Sequence, residues 1–302
     1  MVVTQLYRYP VKSMLGEPLE RCRVVDERGL AGDRAYALID VETGTVASAK
    51  VPRLWGGLLG FSARCAQEPD GAGPPPVEIT FPDGSVHHSG DADIDAALST
   101  AIGRAVRLTA IPPEGAAFEE VWPEIDGLAP EAVVAGTRVR TEVTGEAVSR
   151  FDLAALAPHP AFFDLAVLHL LTTATLRRLR ELAPAATFDA RRYRPNLVVD
   201  TGDTGFVENG WQGRTLVFGS GPDAGPDVGP NITVSMPTMR CVMTTLAQDD
   251  LPRDPDTLRT IARHNRVDIP GLGTWACAGA YADVSAGGEI AVGDRFEVTD
   301  GR

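Results

Sequence analysis

The first hundred positions break into short runs rich in β-branched and aromatic residues, separated by turn residues. Val2–Tyr9, Ala35–Asp40 and Thr45–Ser48 each read as a strand. The last two are joined by Val41-Glu-Thr-Gly44, with glycine where a turn wants positive φ. A Pro/Gly-rich stretch, Glu68–Pro76, leads into a hairpin expected over Val77–Val86 around Pro82-Asp-Gly84. The period then changes. Ile94, Leu98 and Ile102 recur at four-residue spacing, which predicts a helix over Asp93–Ile102 that stops at Gly103, with a strand at Ala105–Ala110.

Residues 112–150 are acidic and rich in Gly, Pro and Ala, and read as a linker or insertion with one strand near Thr137–Val143. Beyond them the apolar run Phe162–Leu171 ends at Thr172, which is placed to cap a helix reaching Leu182. Strands are expected at Asn196–Asp200, Thr215–Phe218, Ile232–Met236, Gly279–Ser285 and Arg295–Thr299. An exposed loop is expected over Gly219–Pro230. Asp254-Pro255 predicts a helix start with Asp as N-cap. Two β-dominated domains with a few short helices follow: 1–111, then the 112–150 insertion, then 151–302. The βαβ alternation of a dinucleotide-binding sheet is absent.

Composition narrows the function classes. A chain of 302 residues with 44% hydrophobic content can build a sizeable core. Its formal charge of −13, with no Lys/Arg run, argues against nucleic acid as a partner. No apolar stretch approaches the ~18 residues of a membrane helix. The N-terminus reads as a strand rather than a leader, so a cytoplasmic protein with no membrane partner is expected. Four scattered cysteines (Cys22, Cys65, Cys241, Cys277) form neither a zinc-ribbon pair nor a disulfide framework. Only two basic residues are lysines, Lys12 and Lys50.

Three places carry candidate chemistry. In Met236-Pro-Thr-Met-Arg-Cys241-Val-Met-Thr-Thr245, Arg240 beside Cys241 would favour the thiolate, the metal-ligating form. The bland alternative is a small buried hydrophobe, the commoner fate of a lone cysteine. Tyr193-Arg194-Pro195-Asn196 offers a planar cation and an amide to one ligand, or else a turn with a solvated Arg. Tyr9-Pro-Val-Lys12-Ser13 can hold a phosphate by charge and hydroxyl, without a P-loop pattern around it. Gly29-Leu-Ala-Gly-Asp-Arg34 adds another Arg just before a strand. His87-His88 read as solvated, and His169 and His264 as structural.

Taken in order, Tyr-Pro-Val-Lys-Ser, Gly-Asp-Arg, Tyr-Arg-Pro-Asn, Phe206-Val-Glu-Asn-Gly-Trp211 and Met-Arg-Cys-Val-Met-Thr-Thr resemble the MOSC family, including its N-terminal β-barrel domain. The likeness is greatest to the amidoxime-reducing type and to the C-terminal part of molybdenum-cofactor sulfurases. It implies two β-barrel-like domains with a molybdenum cofactor (molybdopterin) in the cleft between them. Cys241 would be the ligand to the metal and the catalytic residue. Lys12, Ser13, Arg34, Arg194, Asn196 and Arg240 would contact the pterin and its phosphate, and Thr172 would lie near them.

The resemblance further implies an oxidoreductase acting on small N-hydroxylated, N-oxide or S-oxide substrates. Met239 stands where amidoxime-reducing relatives often carry a small polar residue. No iron–sulfur spacing of cysteines is present, so electrons are expected from a separate flavin, haem or iron–sulfur protein. The alternative from another class is a non-catalytic molybdopterin or persulfide carrier using the same Cys241.

Overall fold

The computed structural model describes residues 1–70, 72–139, 145–156, 161–219 and 229–300. Most of the loop expected over Gly219–Pro230, and residues 140–143 of the strand expected at Thr137–Val143, lie outside the described residues. A two-residue strand, Arg138–Val139, marks the beginning of the latter.

The chain is mostly β with a few short helices. One hydrogen-bonded path dominates it. The path runs Glu17–Leu19, Val2–Arg8, Leu197–Asp200, Leu168–Thr172, Gly273–Ala286, Asn231–Met239, Arg214–Phe218, Phe296–Asp300, with Arg266–Ile269 paired onto Gly273–Ala286. Leu168–Thr172 and Leu197–Asp200 run parallel, which requires a crossover, and the helix Thr173–Leu182 supplies it. That helix starts as expected: Thr172 Oγ1 accepts from Thr175 N at 3.0 Å. Inward-facing Val3, Leu6, Leu170, Leu197, Leu216, Ile232, Ala280 and Phe296 form the core of this sheet.

The expected closed barrel is not found. The last strand spends its ladder on Arg214–Phe218. It approaches the first strand only through a single bridge, Val2 to Arg295, and bonds around Val3, where Val3 N donates to Asp294 O at 2.9 Å. One bridge is not a ladder, so the sheet stays open.

Strand pairing also runs across the expected division between 1–111 and 151–302. Val2–Arg8 lies between Glu17–Leu19 and Leu197–Asp200, and Arg21–Val25 pairs with Gly288–Ala291. The remainder of the first hundred residues builds a second core around Trp55, Phe61, Ile79 and Leu98. The expected hairpin and helix are there, as Val77–Thr80 paired with Val86–His88 and as Ile94–Ile102 ending on a left-handed Gly103. Thr45–Ser48 is not a strand; only Val46 bridges to neighbours. The helix expected at Asp254-Pro255 begins one residue later, at Asp256.

The stretch expected to be a linker or insertion carries regular structure among its described residues. Ala117–Val121 pairs with Ala147–Asp152, a short helix spans Glu131–Ala135, and Ala276 N donates to Leu128 O at 3.0 Å. Leu128 thereby fastens this part of the chain onto the strand Gly273–Ala286.

No helix among the described residues is long and apolar enough to cross a membrane.

The strand Gly273–Ala286 has one position where size is decisive. Gly279 sits at φ +84°, and a Cβ there would lie 2.5 Å from His169 Nε2 and 2.6 Å from Leu170 O. Only glycine allows this approach. Gly279→Ala is expected to cost roughly 3 kcal/mol of stability, read as a lower denaturation midpoint. An unchanged midpoint would mean the strands do not meet this closely.

Candidate functional site

The loops after Val2–Arg8 and before Ala37–Asp40, together with the turn before Leu197–Asp200, each turn through a strained residue. Ser13, Arg34 and Arg194 have φ of 66°, 49° and 53°, and they are three of the five non-glycine residues with positive φ among those described. Such conformations cost about 1–3 kcal/mol each and persist only where surrounding contacts impose them. All three line one cavity of about 400 Å³. Cys241, Lys12, Asn196 and Arg240 line it as well, so the structure brings together every sequence-predicted site residue except Thr172.

The reason these loops converge is a carboxylate that the sequence reading passed over. Asp33 is buried and accepts from Tyr9 N (2.6 Å), Arg34 Nη1 (3.1 Å) and Asn196 Nδ2 (3.1 Å). It ties the first strand to the Tyr193–Asn196 turn. Asn196 Oδ1 accepts from His169 N at 3.0 Å, so its amide holds the backbone together rather than offering itself to a ligand. Both Arg34 and Arg194 lie over the Tyr9 ring, at 4.5 and 4.3 Å. Arg194 Nη1 donates to Met14 O at 2.7 Å, while its Nη2 is buried with no acceptor. Burial, then Arg34, lowers the Arg194 pKa to about 10, so it remains a cation at neutral pH.

A second charged cluster lines the same cavity. The chain's only lysines, Lys12 and Lys50, converge on Asp164. Lys12 Nζ also donates to Phe162 O (3.0 Å), and Lys50 Nζ to Glu120 Oε2 (3.0 Å) and Asp164 Oδ2 (3.3 Å). Both ammonium groups lie about 5 Å from the Phe118 ring. Burial pushes the Asp164 carboxyl up, but Lys12 and Lys50 outweigh it and hold the group well below the ordinary carboxylate range. Glu120 goes the other way, raised by burial more than Lys50 lowers it. Lys50 stays charged because Asp164 and Glu120 overcome its burial.

Cys241 stands in extended backbone, φ −128° and ψ −178°, just before the 3₁₀ turn Val242–Thr245. The expected role of Arg240 is corrected here. In extended backbone neighbouring side chains point to opposite faces, and Arg240 turns away from the thiol. Its Nε donates to Ala278 O (2.7 Å), its Nη1 to Tyr193 O (3.1 Å), and its Nη2 contacts His169 Nε2. His169 therefore accepts at Nε2 and carries its proton on Nδ1, which donates to Arg194 O at 3.3 Å. Burial and Arg240 keep this ring neutral. Arg240 feels the thiol's charge, yet burial and Glu120 still push the Cys241 thiol up to about 12, opposed by Lys50.

Thr172, expected near the cofactor, is also corrected. Its hydroxyl is fully buried, donates to Glu208 Oε2 at 2.7 Å and caps the following helix, and it does not line the cavity. Cys277 is buried beside Trp275 and lies outside the lining. His87, Asp91 and Asp93 bring ligand atoms within 4.8 Å of one another, but at the surface and away from the cavity.

In total the lining holds six cations (Lys12, Lys50, Arg34, Arg192, Arg194, Arg240) against three carboxylates (Asp33, Glu120, Asp164). In a chain of charge −13 this is a local positive excess. Arg192 is taken up by the carbonyls of Thr187, Leu246 and Pro252. The arrangement suits an anionic ligand that meets Arg194 Nη2 and the buried, unpartnered Thr238 Oγ1 and offers a soft metal to the cysteine sulfur.

Two outcomes follow from these charges. Asp164 is depressed in the fold, so it contributes stability that is present above its unfolded value near ~4 and lost as pH falls towards its folded value. Asp164→Asn is expected to cost about 3 kcal/mol at pH 7 and progressively less below about pH 4, measured by urea denaturation across pH. In metal-free protein at pH 8, a thiol near 12 is about one part in ten thousand ionised. Alkylation of Cys241 by iodoacetamide, followed by mass spectrometry, should be at least ~100-fold slower than that of free cysteine. A rate like that of the free amino acid would show the thiolate is present.

Among curated proteins none matches the chain. Among solved structures, the crystal structure of the YUAD protein from Bacillus subtilis covers 100% of this chain and 96% of its own, at 10% identity and a TM-score of 0.44, too slight a likeness to carry an argument. Family models are decisive: residues 160–297 match the MOSC domain and residues 1–56 match the MOSC N-terminal beta barrel domain. The chain belongs to the MOSC family, and Cys241 lies in the MOSC domain while Lys12, Ser13, Arg34 and Lys50 come from the N-terminal one.

Proposed function

We propose that the cavity holds a molybdopterin-type cofactor with Cys241 as the protein's ligand to the metal, and that the chain is an oxidoreductase acting on a small substrate. MOSC domains are associated with molybdenum-cofactor-binding proteins. The observation that carries the reading is the meeting of one thiol, a local excess of cations and the acceptor-less Arg194 Nη2 in a single cavity. Arg34 and Arg194 would hold the anionic phosphate, with Lys12 and Ser13 beside them. Asn196 and Arg240 would act one step back, fixing the turns that carry the donors. Bound there, molybdenum would supply two-electron oxygen-atom chemistry. Cys241 Sγ, which holds its proton in the metal-free protein, would release it on ligation, so loading would be favoured by higher pH. The cavity would then lie in the cleft between the two family domains, and reducing equivalents would come from a separate flavin, haem or iron–sulfur partner.

A persulfide carrier would need the thiol but not the surrounding cations, and its nucleophile would be the thiolate that burial disfavours. The geometry favours the cofactor reading.

Protein produced in a molybdopterin-competent host is expected to carry near-stoichiometric molybdenum and pterin by elemental analysis and fluorescence. Cys241→Ala should lose the metal while keeping its fold by circular dichroism. Wild-type protein without metal or pterin would refute the assignment.

A further inference from the structure

The cavity has a second, chemically different arm. Besides the charged groups, the apolar side chains of Trp122, Val133, Met239, Leu272 and Trp275 line it. Trp122, Val133 and Met239 pack with Trp275 in one apolar cluster. The two indoles lie 5.6 Å apart and are tilted by 54°. Their polar edges are already used: Trp122 Nε1 donates to Ser149 Oγ at 2.8 Å, and Trp275 Nε1 to Leu272 O at 2.9 Å. What remains for a ligand is aromatic face and aliphatic surface, without a free hydrogen-bonding group on either ring. Trp122 and Val133 are half-buried and Leu272 is 45% exposed, so the arm opens outward as a mouth.

The origin of this arm matters. Trp122 and Val133 come from 112–150, which lies between the two family matches and outside both. The cation-bearing residues of the N-terminal part and the cysteine lie within the matched regions. Two of these five residues thus come from a stretch that the family models do not cover. It is held in place by Ala276 N donating to Leu128 O and by Pro130 packed against Gly273.

We infer that this arm is the substrate subsite, and that Trp122 and Trp275 select a neutral, flat aromatic ring, presenting the substituent it bears to Cys241. The inference deepens the proposed function, resting on the reading of this cavity as the reaction site. A charged substrate tail would meet no counter-charge among these five residues. A flat ring gains offset or edge-to-face contact with an indole, whereas a puckered ring of the same carbon count does not.

The test uses metal-free full-length protein and two neutral probes, 2-naphthamide and its ring-saturated counterpart, titrated by calorimetry. Metal loading therefore does not enter the result, and failure of the molybdenum assignment would leave it interpretable. Wild-type protein is expected to bind the flat probe at least ~5-fold tighter than the saturated one. Trp122→Leu should erase that preference, and Trp122→Phe should restore most of it. Should Trp122→Leu fold poorly, Leu272→Gln at the exposed rim should weaken both probes alike by ~2-fold or more. Equal affinity of wild-type protein for the two probes, no binding of either, or an unaltered preference in Trp122→Leu or an unaltered affinity in Leu272→Gln, would overturn the inference.

Discussion

Four charges gathered beside one phenyl ring, two of them buried and two partly so, hold this site together. Lys12, Asp164, Lys50 and Glu120 alternate in sign, each within bonding reach of the next, over the Phe118 ring. Taking any of them out of water alone would cost several kcal/mol, and only alternation makes the cluster tolerable. The four come from four separate stretches: the loop after the first strand, the turn ahead of Trp55, the strand Ala117–Val121, and the run leading to Leu168–Thr172. None of these stretches can leave its place without stranding a charge.

Because the cluster is internally neutral, it contributes little net potential to the cavity. The uncompensated charge lies on Arg194. Asp33 offsets Arg34 directly at 3.1 Å, whereas Arg194 bonds only a carbonyl and leaves Nη2 without an acceptor. An anion entering the cavity would therefore be drawn first to the arginine side, with Lys12 able to contribute only the part of its ammonium that Asp164 and Phe162 leave free. The strained φ angles of Ser13, Arg34 and Arg194 fit this division, since they fall on the cation-bearing turns.

How much of this was legible from sequence differs between element and assembly. Local periodicity and punctuation were sufficient for the Ile94–Ile102 helix with its Gly103 stop, the Thr172 cap and the Val77–His88 hairpin, because neighbouring residues decide each of these. The family motifs were sufficient to gather Lys12, Ser13, Arg34, Arg194, Asn196, Arg240 and Cys241 around one cavity. Three things were not legible. Residues 112–150 have too little periodicity to show that Phe118, Glu120 and Trp122 face inward, since the alternation spans only one short strand. Asp164 sits in an apolar run as a lone acid, and its meaning comes from lysines more than a hundred residues away. Thr172 was read twice, as a cap and as a cofactor contact, and one hydroxyl satisfied by Thr175 N and Glu208 has nothing left for the second role.

The Arg240–Cys241 pair shows why adjacency in sequence is a poor guide to electrostatics. Two residues side by side in extended chain present their side chains to opposite faces, so the guanidinium that was expected to ionise the thiol instead locks Tyr193, His169 and Ala278 behind it. The cation on the thiol's own face is Lys50, and Glu120 opposes it there. A thiol kept neutral by its surroundings is protected from oxidation and alkylation, and becomes a thiolate only when a metal takes the place of the proton. The selectivity of such a ligand then lies with what the rest of the cavity can bind. Under the proposed function that would be an anion held on the Arg194 side and joined to the sulfur through its metal, so the cations would choose the guest and the cysteine would secure it.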